Sequence, residues 1–529
     1  MTPELFAEIA AQGYNHIPVT DEVLADLDTP LSCYVKVAGG AFSYLLESAS
    51  QGGEKWSRYS MVGLPAKTIL TVRGYEISVT TDGAEVENFH CDDPLGYVEE
   101  FQARYKYPNL TNLPIYTGGL VGYFGYDTVR YVEKKVKDSA PQDTIGTPDI
   151  LLMISNDVMV FDSVKGKIHL ITHADPAVPN ALKNAKQRLA EMKAKLQSDL
   201  PPSVRDVSTG PVIHEEDFVS SYGEEKFKAD VDRIKDYIVE GDVMQVVLSQ
   251  RMSVSLECDP LSLYRALRSL NPSPYMYYMN LDDFHIVSSS PEILARLDNG
   301  EVTVRPLAGT RRRGRSAAED LELEEELLAD PKEIAEHLML IDLGRNDIGR
   351  VCEIGSVDVS EMMTVERYAH VMHIASNVQG KIRAGLTAMD LLRATLPVGT
   401  LSGAPKVRAL EIIDEFEPEK RGVFGGAVGY LSWNGNMDTA IAIRTAVIKD
   451  SKLFVQAGAG IVADSIPRLE WKETINKARS LFQAAAMAEN GLVNAITAEN
   501  PRIFNKNEEF LDQSDGQSND VLDDEGAQQ

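Results

Sequence analysis

Phe454-Val455-Gln456-Ala457-Gly458-Ala459-Gly460-Ile461-Val462 reads as a strand, a tight Gly-Ala-Gly turn and further extended chain. Just downstream, Ser465-Ile466-Pro467 marks a helix start with proline in the first turn. In that helix Glu470, Glu473 and Lys477 fall at i, i+3 and i+7 and share one face. Backbone N–H groups around such a glycine turn suit a carboxylate ligand, and a β-bulge fits the same residues. The run does not complete a dinucleotide fingerprint, and no βαβ pattern surrounds it.

The pattern recurs upstream, in Asp330-Pro331-Lys332-Glu333-Ile334-Ala335-Glu336-His337-Leu338. Asp330 suits the N-cap, Pro331 the first helical position, and Glu333 and Glu336 lie on one face. Like charges three residues apart cost roughly 0.2–0.5 kcal/mol on a plain helix, so two such pairs ask for a counter-charge. Mg²⁺ takes one or two carboxylates and keeps waters that an anionic substrate can displace. Spacing alone also fits two plainer accounts: Glu333 in a capping box with Asp330, and Glu473 paired with Lys477 on a solvated face. The neighbouring ELEEELL run reads as such a face.

Working outward, residues 1–197 mix short strand-like runs such as KTILTVRGYEISVTT with glycine turns and end in the helical pattern ALKNAKQRLAEMKAKL. Residues 198–217 hold three prolines with little apolar periodicity and read as a linker. Residues 218–490 alternate helical patterns with β-branched strands and carry most of the chemistry. Residues 491–529 form an acidic tail expected to be disordered.

The 529 residues are 43% hydrophobic, enough to bury a deep site. With 52 basic against 80 acidic residues the net charge is −28, which disfavours nucleic acid and anionic membrane surfaces as partners. Cys33, Cys91, Cys258 and Cys352 form no CxxC or zinc spacing. No export signal or run approaching about 18 apolar residues is seen, so a cytoplasmic location is expected.

Four further features stand out. His373 lies in the mostly apolar VERYAHVMHIASNV, where a core histidine is the plainer account. RPLAGTRRRGR, Arg305 to Arg315, reads as a solvated basic loop. Arg444, inside the strand-like IAIRTAVI, wants a carboxylate from protein or ligand. GTLSGAPK misses the P-loop spacing and reads as a helix start after Pro405.

Taken together, RPLAGT, EHLMLIDLGRND, VMHIASNVQG, LPVGTLSGAPK, GGAVGY, AIRTAV and QAGAGIVADS, in this order, resemble the chorismate-utilising enzymes of the anthranilate synthase large-subunit type, from about Leu45 to Ala486. The resemblance implies an α+β fold with a large antiparallel β-sandwich-like core wrapped by helices. It implies that Glu336 and Glu473 ligate Mg²⁺, with Glu333 and Glu470 supporting its waters. Gly309, Thr310, Arg444 and the Gly458, Ala459, Gly460 segment would hold chorismate, with Lys477 near its metal-bound carboxylate. Many relatives carry tyrosine where Phe424 stands, so a hydrogen bond from that hydroxyl is absent here.

The resemblance further implies that ammonia adds to C2 of chorismate as the C4 hydroxyl leaves, with Glu292 as general acid. His373 is the residue associated with the subsequent loss of pyruvate. Gln245 stands where water-adding relatives carry a lysine base, and Ala308 where many aminodeoxychorismate synthases carry an attacking lysine; both favour anthranilate as product. Glu47 and Ser48, with Pro274, Tyr275 and Met276, resemble the two halves of an inhibitor site for L-tryptophan. No cysteine sits in a nucleophile-elbow context, so a separate glutamine amidotransferase subunit is implied as the ammonia source. The rivals are an aminodeoxychorismate synthase and a non-catalytic tryptophan-sensing subunit.

Overall fold

The structure, a computed structural model, describes residues 1–49, 58–111, 113–205, 210–368 and 371–492. All but the first two residues of the expected acidic tail lie outside this range. Two antiparallel sheets, each of twelve strands, organise the chain. Tyr44, Met61 and Phe284 of the first sheet share one apolar cluster with Val121, Met153 and Val428 of the second, so the sheets pack face to face. Helices cover both outer faces. On the first sheet, Leu45 and Val287 pack with Met192, Leu267 and Phe482 of three helices. On the second, Leu120 and Leu152 pack with Val98, Ile341 and Leu392 of three others.

This layering explains the near-continuous apolar strands. In Ser43–Glu47, Tyr44 faces the inter-sheet core and its neighbour Leu45 faces the helices, because successive side chains point to opposite faces. Ile150–Ser155 is buried at every position for the same reason. The expected β-sandwich-like core wrapped by helices is therefore what the chain adopts.

Both sheets run through residues 1–197 and 218–490. In the first, Ser43–Glu47 pairs with Tyr275–Asn280, and in the second Gly119–Phe124 pairs with Ala427–Ser432. Each region thus supplies part of both sheets, and the connection between them includes two short helical turns, Pro202–Arg205 and Glu215–Asp217.

Two local readings are corrected. The Gly-Ala-Gly segment is no tight turn: Lys452–Ile461 is one strand, paired throughout with Gln245–Ser255. A Cβ at 460 would stand 2.5 Å from Nε2 of Gln245, so the end of that side chain would have to shift. RPLAGTRRRGR is no solvated loop either; it contains the strand Leu307–Arg312, whose arginines are ion-paired to acidic helices. The helix starts hold: Pro331–Gly349 is capped by Asp330, Lys406–Phe416 follows Pro405, and Pro467–Glu489 carries Glu470 in its first turn.

Candidate active site

The site draws one wall from each sheet. On the first, Lys477 of the Pro467–Glu489 helix donates to the carbonyl of Gly458 at 3.0 Å and pairs with Glu473 at 2.7 Å. Burial lowers the Lys477 pKa, but the Glu473 carboxylate, with Glu336 and Glu470 beyond it, outweighs this and raises it. Lys477 is thus the cation at which both acidic helices meet. Gln245, on the strand beside Gly460, approaches Glu336 to 3.5 Å through its Nε2.

On the second wall, Gly309 sits at φ 63° as the extra residue of a bulge between Ala308 and Thr310. The bulge brings its carbonyl to 3.0 Å from Nδ1 of His373, with the Thr310 hydroxyl 3.1 Å from the same nitrogen. A carbonyl only accepts, so the neutral ring carries its proton on Nδ1 and its lone pair on Nε2. Burial, reinforced by Arg444, pulls the imidazole down to about 4, so His373 is neutral at neutral pH with its Nε2 lone pair free of a proton.

Glu292 lies between the strands Phe284–Ser290 and Ile293–Asp298 and is 6% exposed. Burial pushes its carboxyl up to about 8, against the pull of the Leu307 N–H, Lys477 and Arg444. A carboxyl protonated at neutral pH is a proton donor. Arg444 is not within a strand, as its apolar flanks suggest, but in the bend between Met437–Ile441 and Thr445–Lys449, at φ 49°. Among the described residues its guanidinium has no ion pair, and the titratable groups that act on it, the Tyr368 phenol and the Glu292 carboxyl, are both kept protonated by burial at neutral pH. A cation so placed is ready for an anionic ligand. The site therefore offers a proton donor, a neutral base and two cations.

The carboxylates fit a hard cation by their donor chemistry. Burial, then the neighbouring Glu473, pushes Glu470 up to about 7; burial, then Glu336, raises Glu333. Each pair thus places two mutually repelling carboxylates on one partly buried helix face. Among the described residues no three His, Cys, Asp or Glu side chains gather as a ready-made metal cluster. Mg²⁺ does not need one, since it binds through one or two carboxylates and retains water.

The five residues expected to form an inhibitor site lie elsewhere, at the junction of the two regions. Glu47 stands opposite Met276 in the paired strands, and Ala49 donates to the Ser273 carbonyl at 3.0 Å. Glu47 accepts a forked pair from Arg268 at 2.9 and 3.1 Å, and a hydrogen bond from Tyr264. Tyr275 projects to the other face, where its hydroxyl donates to Asp438 at 3.0 Å. Ser48 follows Glu47 at the strand end, and Pro274 precedes Tyr275.

Sequence reasoning missed Tyr368 and Arg311. The Tyr368 ring meets His373 edge-on at 5.6 Å, and its hydroxyl donates to Glu366. Nothing in its local sequence signals this, because the contact spans a strand connection. Arg311 was hidden in a basic run that looked uniform. Phe424 is buried in the apolar cluster under the second sheet, consistent with its lack of a hydroxyl.

Residues 44–483 match the family model described as chorismate binding enzyme. The chain is 59% identical over 492 residues to anthranilate synthase component 1 of Pseudomonas aeruginosa, covering 93% of this chain and 100% of that one. It is 55% identical to the component 1 of Neisseria gonorrhoeae, over 91% and 98%. Among solved structures, anthranilate synthase component I from Streptococcus pneumoniae matches with a TM-score of 0.73 at 38% identity, covering 87% and 99%. The menaquinone-specific isochorismate synthase of Escherichia coli, at 20% identity and TM-score 0.66 over 91% and 98%, shares the fold. The chain belongs to the chorismate binding enzyme family, in its anthranilate synthase component 1 group.

Proposed function

We propose that this chain converts chorismate and ammonia to anthranilate and pyruvate, the entry step of tryptophan synthesis, as the large subunit of a two-component enzyme. The observation that carries the reading is the pairing of Arg444, a guanidinium with no ion pair among the described residues, with Glu292, a carboxyl that burial keeps protonated. An anionic substrate with a poor hydroxyl leaving group needs both.

Arg444 and Lys477 bind carboxylate charge, and the Gly309 to Thr310 bulge and the Gly458 to Gly460 strand shape the cradle. Glu292 gives its proton to the C4 hydroxyl as that C–O bond breaks and ammonia bonds to C2. His373, through Nε2, then takes the C2 proton while the ether bond at C3 breaks and the enolpyruvyl group departs as pyruvate. Gln245 is no general base, and ammonia, already a nucleophile, needs none. Glu336 and Glu473 would hold Mg²⁺, with Glu333 and Glu470 accepting from its waters. When bound, the ion supplies positive charge to the ring carboxylate.

The word component in the relatives' names supports a second subunit, read here as a glutamine amidotransferase that delivers ammonia. A cytoplasmic setting agrees with four free cysteines, and among the described residues no helix is long and apolar enough to cross a membrane. Glu47, Ser48, Pro274, Tyr275 and Met276 are read as contacts for L-tryptophan as feedback inhibitor. Their position on the strand pair joining the two regions lets a ligand there act on the packing of both.

The deciding experiment mixes purified chain with chorismate, Mg²⁺ and ammonium at mildly alkaline pH and follows anthranilate fluorescence with and without tryptophan. Anthranilate formation slowed by tryptophan supports the reading. Chorismate loss with retention of the pyruvyl ether points to aminodeoxychorismate instead.

A further inference from the structure

Arg311 emerges from the strand Leu307–Arg312 one residue after Thr310, so the two side chains leave opposite faces. Thr310 reaches His373. Arg311 reaches two helices: its Nε donates to Glu326 at 2.8 Å, Nη2 to Asp330 at 2.9 Å, and Nη1 to Glu333 at 3.4 Å and to the Thr310 carbonyl at 3.1 Å. Asp330 is thereby held twice, because its other oxygen caps the Pro331–Gly349 helix through the N–H groups of Lys332 and Glu333. Glu333 is held by Arg311 through Oε1, while its Oε2 lies 3.2 Å from where a Cβ on Gly309 would stand, so a side chain there would crowd it.

Among the described residues Glu336, one turn further along the same helix, accepts only the long 3.5 Å contact from Gln245. The two carboxylates of one helix face are therefore treated differently. One is held by an arginine beside the glycine bulge, and the other keeps its lone pairs for a ligand. Arginine suits the task because its planar fork spans three acceptors at once, whereas lysine offers a single point charge.

We infer that Arg311 is a positioning residue for the cation site: it fixes Glu333 as an outer acceptor and leaves Glu336 to bind the metal. The inference rests on the Mg²⁺ reading above. Fixing an outer partner typically changes metal affinity by about 10- to 100-fold. A mere clamp between helices would instead show itself in stability alone.

The test titrates the full-length chain with MnCl₂, with and without chorismate, and counts free Mn²⁺ by electron paramagnetic resonance. Wild type is compared with Arg311→Met, Arg311→Lys and Glu326→Gln, the last removing Arg311's outermost partner. Thermal melts of each variant run in parallel. The expected result is Mn²⁺ affinity lowered about 10- to 100-fold in Arg311→Met, lowered less in Arg311→Lys, and unchanged within about twofold in Glu326→Gln. Wild-type affinity in both Arg311 variants with a lowered melting temperature overturns the inference and leaves Arg311 a clamp. Equal loss in Glu326→Gln overturns it too, since helix docking would then explain the effect. Absence of Mn²⁺ binding by wild type, even with chorismate, overturns the metal reading itself.

Discussion

Nδ1 of His373 lies 3.0 Å from the carbonyl oxygen of Gly309, across two antiparallel strands whose register slips at that glycine. The slip turns the carbonyl toward the ring and selects the tautomer with its lone pair on Nε2. A bulge is thus the reason His373 points its unprotonated nitrogen away from the Gly309 carbonyl. Replacing Gly309 by alanine forces a side chain into φ 63° and brings Cβ to 3.0 Å from Leu327 and 3.2 Å from Glu333 and Ile374. We expect a stability loss of about 1–2 kcal/mol from the backbone strain, read by urea unfolding, and a fall in kcat larger than any rise in KM. A Gly309→Ala enzyme with wild-type kcat would refute the link between bulge and base.

Glu292 carries the pH dependence. Its folded pKa, about 8, stands above the ordinary 4.5 of an unfolded chain. Folding therefore favours the protonated form, and Glu292 costs stability progressively as pH rises from about 4.5 to about 8. The Glu292→Gln variant should lose roughly 10²–10⁴-fold in kcat/KM, while its stability falls less than that of wild type between those pH values. Wild-type activity should decline as pH passes through about 8. Parallel unfolding curves for the two proteins at every pH would contradict the burial argument.

Arg444 separates binding from folding. Because it has no ion pair among the described residues, removing it strands no partner carboxylate there. Arg444→Met should melt at or above the wild-type temperature yet lose about 10- to 100-fold in kcat/KM for chorismate, the worth of a hydrogen bond to a charged group. A marked drop in melting temperature with unchanged KM would assign the residue a structural duty instead.

Tryptophan should act through the strand pair joining the two regions. Met276→Ala is expected to weaken inhibition by about tenfold, within the usual coupling of ~1–3 kcal/mol. The assay is the ratio of ammonia-dependent rates with and without tryptophan across a concentration series. An unshifted inhibition curve would move the inhibitor site away from Met276.

Chelation tests the cation directly. EDTA should abolish anthranilate formation, and added Mg²⁺ should restore it; Glu336→Gln should raise the Mg²⁺ concentration required by about 10-fold or more. Full turnover in excess EDTA would show that the carboxylates serve some other end.

The helix starts are legible in the chain, because Asp330, Pro331 and Pro467 act within one turn, and periodicity alone puts Glu333, Glu336, Glu470 and Glu473 on their faces. The ordered family motifs carried the fold and named Glu292 and His373, which no local pattern distinguishes from core residues. What those residues meet depends on the packed sheets and helices. Gly460 meets the side-chain end of Gln245, more than two hundred residues earlier; Arg311 leaves the solvent because two helices bring it carboxylates; Arg444 stands in a bend instead of a strand. Each depends on contacts between distant segments, and a neighbour's size and charge cannot be read from the chain until the sheets have brought it there.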